Sequence, residues 1–344
     1  MNDGDPSAAR TRRPTMVDVA AAARVSVKTV SRVANGVPTV DPELASRVVD
    51  AMRTLGFQRN SVAASLRSGQ STATIGLIII DLANTFYSTI AAAVAEVARE
   101  HGRQLFTASS GWDDQQERDL ALDLCRRRVD GLIVVPSGAD LAYLAPEIER
   151  GTPVVFVDRP PVGLDGDTIL IDNRGGARNA VRMLVTEGHR SIGVITDALN
   201  APTMRERRAG ARDELMAHAI LSGSHLVEIA SDDPATARRA TATMLDLPEP
   251  PTAIFCGNNR VLSGAVAEVV ARGENVRLAG FDDVEFAELL PYPVTVVGYD
   301  TPSLGRFAAQ ALFRRIQDPA TTLSTTTIAT YLADRGITHT ARSA

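Results

Sequence analysis

Across residues 15–35 the apolar positions recur at helical spacing in two short runs parted by a polar turn. Met16, Val19, Ala20 and Ala23 form one narrow stripe, and Val30 with Val33 forms a second. Thr15 followed by Asp18 reads as a capping box, and Ser26 is the expected cap of the second helix. Asp41-Pro42-Glu43 predicts a third helix, because it supplies a cap, a proline at the first helical position and an acid in the first turn. Leu44, Val48, Met52 and Leu55 mark its apolar face, and Gly56 its stop. Three such helices make a headpiece near the lower size limit for a self-supporting core. On the second helix Lys28, Thr29, Ser31 and Arg32 point away from the stripe. That face is polar and cationic, suited to phosphate oxygens and to the acceptor-rich edge of guanine in a major groove.

Residues 60–66 (Asn-Ser-Val-Ala-Ala-Ser-Leu) and the polar stretch 67–72 read as a linker. Seven residues cannot nucleate a lasting helix alone in water, so any helix there is expected to be conditional. From residue 74 the rhythm changes to strands alternating with helices. Apolar runs at 75–80, 131–135, 154–157, 192–195, 253–256 and 276–279 suit buried parallel strands. Amphipathic stretches at 87–101, 115–127, 175–187, 205–218 and 261–272 lie between them. This βαβ rhythm occurs twice. It predicts two parallel α/β lobes with a cleft outside the carboxyl ends of their strands.

The charge of −5 over 344 residues is unevenly spread. Residues 1–68 hold ten basic and six acidic side chains, the remainder 26 and 35, so the positive end is the end that would meet phosphate. The only cysteines, Cys125 and Cys256, lack metal-ligand spacing and suit buried thiols in a reducing, cytoplasmic compartment. Residues 1–14 are polar and expected to be disordered, and no export leader or membrane span is expected. No phosphate loop, Gly-x-Gly-x-x-Gly after the first strand, zinc cluster or nucleophile elbow is present, which argues against an enzyme and against any cofactor.

Val-Asp-Val-Ala at 17–20, Val-Ser-Val-Lys-Thr-Val-Ser-Arg-Val-Ala-Asn-Gly at 25–36, Leu-Gly-Phe-Gln-Arg-Asn at 55–60 and Ala-Ala-Ser-Leu-Arg-Ser-Gly at 63–69 resemble the LacI/GalR family of transcriptional regulators. The resemblance runs over nearly the whole chain. It implies that Val27 and Lys28 open a recognition helix and choose bases, with Arg32 reaching a base or phosphate further along. Ser26, Thr29, Ser31, Asn35 and the hinge residue Asn60 are implied in DNA binding. Leu66 ends the implied hinge helix, where two copies would wedge into the minor groove of a pseudo-palindromic operator. Arg24 stands where the family's turn has glycine, and Arg59 where it has proline.

The same resemblance implies an α/β architecture: a helix-turn-helix headpiece (15–59), a hinge and linker (60–73), and a two-lobed effector-binding and dimerisation domain (74–344) like that of periplasmic sugar-binding proteins. Lobe 1 is expected at about 74–160 and 293–322, lobe 2 at 161–292 and 323–344. Phe86, Asp158, Thr203, Arg207, Asn258 and Asp282 are the implied effector-binding residues. Two carboxylates, an arginine and an amide can hold vicinal hydroxyls while an aromatic face takes the apolar side. Asn259 replaces a family aspartate expected to cap the next helix, and Gly298 a common glutamine, so a side chain bridging the lobes is expected to be missing. Trp112 and Phe255 are candidate extra stacking groups, with packing the favoured reading of both. The reading is a dimeric repressor whose affinity for operator DNA answers to a small polar metabolite.

Overall fold

Thr15 and Asp18 close on each other as the spacing requires. The Asp18 carboxylate accepts from Thr15 N–H at 2.7 Å, and Thr15 Oγ1 accepts from Asp18 N–H at 3.4 Å. The computed structural model describes residues 14–57, 72–138, 140–230, 233–284, 287–290 and 292–336, and the chain divides into two units at Thr72 and Ala73. In the first unit, α1 (Met16–Ala23), α2 (Val27–Ala34) and α3 (Pro42–Leu55) enclose Val19, Ala20, Ala23, Val30, Val48 and Ala51. Asp41 caps α3 through Glu43 and Leu44, and Gly56 ends it in the left-handed conformation at φ +64. Arg24 ends α1 with φ +52, which a glycine would adopt without strain. Arg47 of α3 supports that turn by donating to the carbonyls of Ala23 at 2.6 Å and Arg24 at 3.4 Å.

The second unit runs β1 (Thr74–Ile79), α4 (Thr85–Glu100), β2 (Gln104–Ser109), α5 (Asp114–Arg126), β3 (Leu132–Val134), α6 (Ala145–Glu149), β4 (Val154–Val157), β5 (Asp167–Ile171) and α7 (Asn173–Thr186). It continues with β6 (Ile192–Thr196), α8 (Pro202–Ala217), β7 (His225–Glu228), α9 (Pro234–Leu245), β8 (Ala253–Cys256), α10 (Asn259–Arg272), β9 (Arg277–Phe281) and β10 (Val294–Gly298). The last elements are α11 (Thr301–Gln317), β11 (Thr325–Ile328) and β12 (Tyr331–Arg335). Two six-stranded sheets result, in the orders β11-β5-β4-β3-β1-β2 and β12-β10-β9-β8-β6-β7. Every pairing is parallel except β10 with β12. Strands such as β1, β4 and β8 are apolar on both faces because helices cover both sides.

This strand order corrects the expected lobe limits. β5 pairs with β4, so lobe 1 runs on past residue 160 to Ile171, and β10 pairs with β9, so the stretch 293–298 belongs to lobe 2. β11 pairs with β5 in lobe 1, against the expectation that residues 323–344 belong to lobe 2. The chain therefore crosses between lobes three times, at Asp172, at Tyr299–Asp300 and at residues 329–330, each time just after a strand ends. The edge strands β2, β7, β11 and β12 carry exposed positions and lack the continuous apolar run that marks the inner strands. The expected tail (1–14) falls outside the described residues except for Pro14, as does nearly all of the expected hinge (60–73).

Candidate functional site

The headpiece presents α2 as expected. Ser26 Oγ accepts from Thr29 N–H at 3.1 Å, and Val30 is fully buried against the other two helices. That anchoring leaves Ser26, Val27, Lys28, Arg32 and Asn35 exposed and Thr29 and Ser31 half-buried. Arg32 Nη2 donates to Thr39 Oγ1 at 2.6 Å, which holds its guanidinium beside the helix. Asn60, Leu66 and Arg59 lie outside the described residues.

In the second unit all six expected cleft residues line one narrow space between the lobes. Lobe 1 contributes Asp81, Asn84, Phe86, Tyr87, Trp112, Asp158 and Arg159. Lobe 2 contributes Asp197, Ala201, Thr203, Met204, Arg207, Asn258, Asn259 and Asp282. These groups sit where strands give way to loops or helices, at the switch point that open parallel sheets offer to ligands. Asp158 and Asp282 each follow a strand directly, in the left-handed region at φ +72 and +67. Such strain in a non-glycine residue persists only where the surroundings hold it, and it turns both carboxylates into the cleft.

Arg207 is the best-connected group. Its Nε donates to Asn173 Oδ1 at 2.7 Å, its Nη1 to Gly257 O at 2.8 Å and Asp282 Oδ2 at 3.0 Å, and its Nη2 to Asp282 Oδ1 at 3.3 Å. Its guanidinium carbon lies 3.7 Å from the centre of the Phe281 ring. Burial works against its charge, but Asp282, Tyr299 and Asp158 outweigh that and keep the guanidinium firmly protonated. Gly210, one turn on in α8, lets α8 approach α7 closely: a Cβ there would stand 2.1 Å from the carbonyl oxygen of Arg174. That approach brings Arg207 within reach of Asn173 at the start of α7. Tyr299 donates its hydroxyl proton to Asp282 Oδ1 at 2.5 Å, completing the partly buried carboxylate's partners.

Across the cleft, Arg159 donates to Pro136 O at 3.1 Å and to the Tyr87 hydroxyl at 3.2 Å, and its Nε stands 3.3 Å from Asp158 Oδ2. Burial holds the Asp158 carboxyl above the ordinary carboxylate range, with Arg159 and Arg207 only partly offsetting it. Among the described residues Asp158 receives this ion pair and no side-chain hydrogen bond. Asn258 both caps α10, accepting from Val261 N–H at 2.8 Å, and donates to Asp197 at 2.9 Å.

Three expectations are corrected here. Asn258 rather than residue 259 caps α10, which frees the Asn259 amide to reach across the cleft to Asn84 Oδ1 at 3.2 Å. Arg260 beside it reaches Asp81 at 2.9 Å, a second bond between lobes. Gly298 leaves no gap, since the Tyr331 ring lies over it, within 2.7 Å of where a Cβ would be, and Tyr299 next in sequence provides a side chain at the crossing. Trp112 is not a packing residue: it is 38% exposed, lines the cleft, and faces Arg159 at 4.3 Å. Its left-handed φ of +65, following Gly111 at +62, turns the ring inward, and spacing alone does not reveal such a turn. Phe255 is fully buried in β8 and packs as expected. Tyr87, Arg159 and Asp197 were not among the six; Arg159 and Asp197 stand next to or just beyond strand ends, which was the available signal.

A helix-turn-helix unit in one chain with two parallel α/β lobes and a polar cleft between them defines a class, the ligand-responsive regulators of transcription. The chain belongs to the LacI family of bacterial regulatory proteins: residues 15–60 match the family's DNA-binding model, and residues 72–334 match periplasmic binding proteins and the sugar binding domain of the LacI family. It is 28% identical to the ribose operon repressor of Haemophilus influenzae over 309 residues, 89% of this chain and 92% of that one. Among solved structures it resembles the lac repressor dimer bound to operator and the anti-inducer ONPF, with a TM-score of 0.77 and 26% identity over 94% of this chain and 98% of that one. It also resembles the complex of the regulator CelR with cellobiose, with a TM-score of 0.67 and 28% identity over 94% and 99%. Among the described residues no helix is long and apolar enough to cross a membrane, and no cluster of side chains suits a metal ion.

Proposed function

We propose that this regulator is a repressor whose hold on a pseudo-palindromic operator is set by a small hydroxylated metabolite, a sugar or related polyol, bound between the lobes. The observation that carries this reading is the convergence of Phe86, Asp158, Thr203, Arg207, Asn258 and Asp282 on one cleft. Carboxylates accept hydroxyl protons, the guanidinium and amide donate to ring and hydroxyl oxygens, and Phe86 offers a face to C–H groups. Relatives named for ribose and caught with cellobiose support the ligand class.

At the other end, Val27 and Lys28 read base edges, Arg32 a base or phosphate, and Ser26, Thr29, Ser31 and Asn35 hold the backbone. Asn60 and Leu66 serve as hinge residues, and two copies of the chain act as a homodimer, so operator symmetry mirrors protein symmetry. The lac repressor dimer on its operator supports that assembly. Ligand binding alters lobe closure and thereby the balance between DNA-competent and incompetent dimers. The route is short, because Arg207 is bonded to Asn173 beside the first crossing and Asp282 to Tyr299 in the second.

A thermal-shift screen of sugars and polyols, followed by operator binding with and without each hit, tests the reading. A hit at a hundredfold excess over its Kd raises stability by about 2.7 kcal/mol through mass action and changes operator affinity. Arg207→Ala is expected to abolish that shift. It is also expected to cost about 1–3 kcal/mol of stability, because the partly buried Asp282 is left without its cation. A variant that folds and binds the hit as wild type does would remove the cleft from the mechanism.

A further inference from the structure

We infer that the cleft selects an uncharged polyol and rejects the phosphorylated form of the same compound, an inference that rests on the polyol reading above. The side chains lining the space include four carboxylates, Asp81, Asp158, Asp197 and Asp282, against two guanidinium groups, Arg159 and Arg207. Both cations already stand against a carboxylate. Arg207 gives three of its five N–H groups to Asn173, Gly257 and Asp282 and a fourth, longer, to Asp282. Arg159 gives one N–H to Pro136 and one to the Tyr87 hydroxyl and pairs its charge with Asp158, while its buried Nε–H has no hydrogen-bond acceptor, and Arg260 at the rim is bonded to Asp81. Each described cation at the cleft is therefore already balanced by a carboxylate, and an incoming phosphate meets no surplus of positive charge.

Asp158 points the same way. It is buried to 3% exposure, turned into the cleft by a left-handed backbone, and lacks a side-chain hydrogen bond among the described residues. A buried carboxylate in that condition needs a proton donor, which a hydroxyl is and a phosphate dianion is not. The one feature that favours anions is the start of α8. Ala201 gives it no side-chain cap, so backbone N–H groups near Thr203 and Met204 remain open to the cleft. A hydroxyl satisfies both kinds of wall, accepting from these N–H groups and donating to Asp158. A phosphate satisfies the first only and brings two negative charges beside Asp158 and Asp282, and such unpaired like charge is how a site discriminates against a competitor.

The experiment is calorimetric titration of the full-length protein with matched pairs: D-ribose and D-ribose 5-phosphate, D-fructose and D-fructose 1-phosphate, D-glucose and D-glucose 6-phosphate. For any pair that binds, the neutral member is expected to be tighter by about 100-fold, as for a buried charged contact made by one ligand and opposed by the other. Asp158→Asn is expected to weaken the neutral member by about 10-fold and to narrow the gap within the pair. A phosphorylated member that binds as tightly as its neutral partner overturns the charge argument and leaves the polyol cleft standing, as does a gap that Asp158→Asn leaves unchanged. Failure of every pair to bind overturns the polyol reading itself, and this inference with it.

Discussion

Asp158 shows how one side chain sets stability against function. Its carboxyl is held above the ordinary range by burial, so the folded chain binds that proton more tightly than the unfolded chain does. Above the folded-state value the ionised form therefore weakens the fold, and the penalty fades as pH falls toward ordinary carboxylate titration. Asp158→Asn is accordingly expected to raise the melting temperature of the ligand-free protein at pH 7, with the gain over wild type closing toward pH 4. Thermal unfolding across that range checks it, and a gain that grows on acidification would contradict the assignment. The six cleft residues were legible one at a time: Asp158, Asn258 and Asp282 because strand ends are visible in sequence, Phe86, Thr203 and Arg207 because the family resemblance fell on the helices that follow. Trp112 was not, since its place depends on two consecutive left-handed residues, and Asn258 took over the capping role that the family resemblance implied for its neighbour.

Among the elements, the β10–β12 pair explains a departure that composition could not. Gly298 stands opposite Tyr331 in an antiparallel register, and the tyrosine ring occupies the room a side chain would need. Gly298→Gln, the family-like residue, is expected to push the exposed Tyr331 ring aside at a cost of about 0.5 kcal/mol or less, and Tyr331→Ala in the same chain to recover it. Denaturant unfolding of the two variants decides. On α2, Lys28 is the chain's single lysine, so amine-selective acetylation reaches only that side chain and the N-terminus. Acetylated protein is expected to lose about 10- to 100-fold in operator affinity, the worth of one good base contact, while acetylated Lys28→Arg keeps its own. Helices were readable here because their caps are local: Thr15, Ser26 and Asp41 each cap as the spacing demanded. Edge strands such as β2 were not, for they bury little and so carry no apolar run.

On the scale of the whole chain, the two-lobe plan was visible in the doubled βαβ rhythm, but the limits of each lobe were not. Which sheet a strand joins is a matter of pairing across more than a hundred residues: β11 lies beside β5, and nothing near Thr325 announces Thr168. The same topology links cleft and crossings. Tyr299→Phe removes one hydroxyl from Asp282 while keeping the ring packed against Phe86 and Phe281. Ligand affinity is expected to stay within about threefold, whereas the ligand-induced change in operator affinity shrinks by about 10-fold, a coupling of ordinary allosteric size. Operator titrations with and without saturating ligand measure both quantities; a change in ligand affinity alone would place Tyr299 in the pocket and not in the coupling.

Trp112 is also the only indole in the molecule, and it stands in the cleft wall with the Arg159 guanidinium over its ring. Excited beyond the absorption band of its five tyrosines, the unlabelled protein therefore emits from one place. A compound that slips between ring and guanidinium must change the colour or yield of that light, so the molecule carries its own gauge of occupancy and can be watched on the timescale of mixing without a dye.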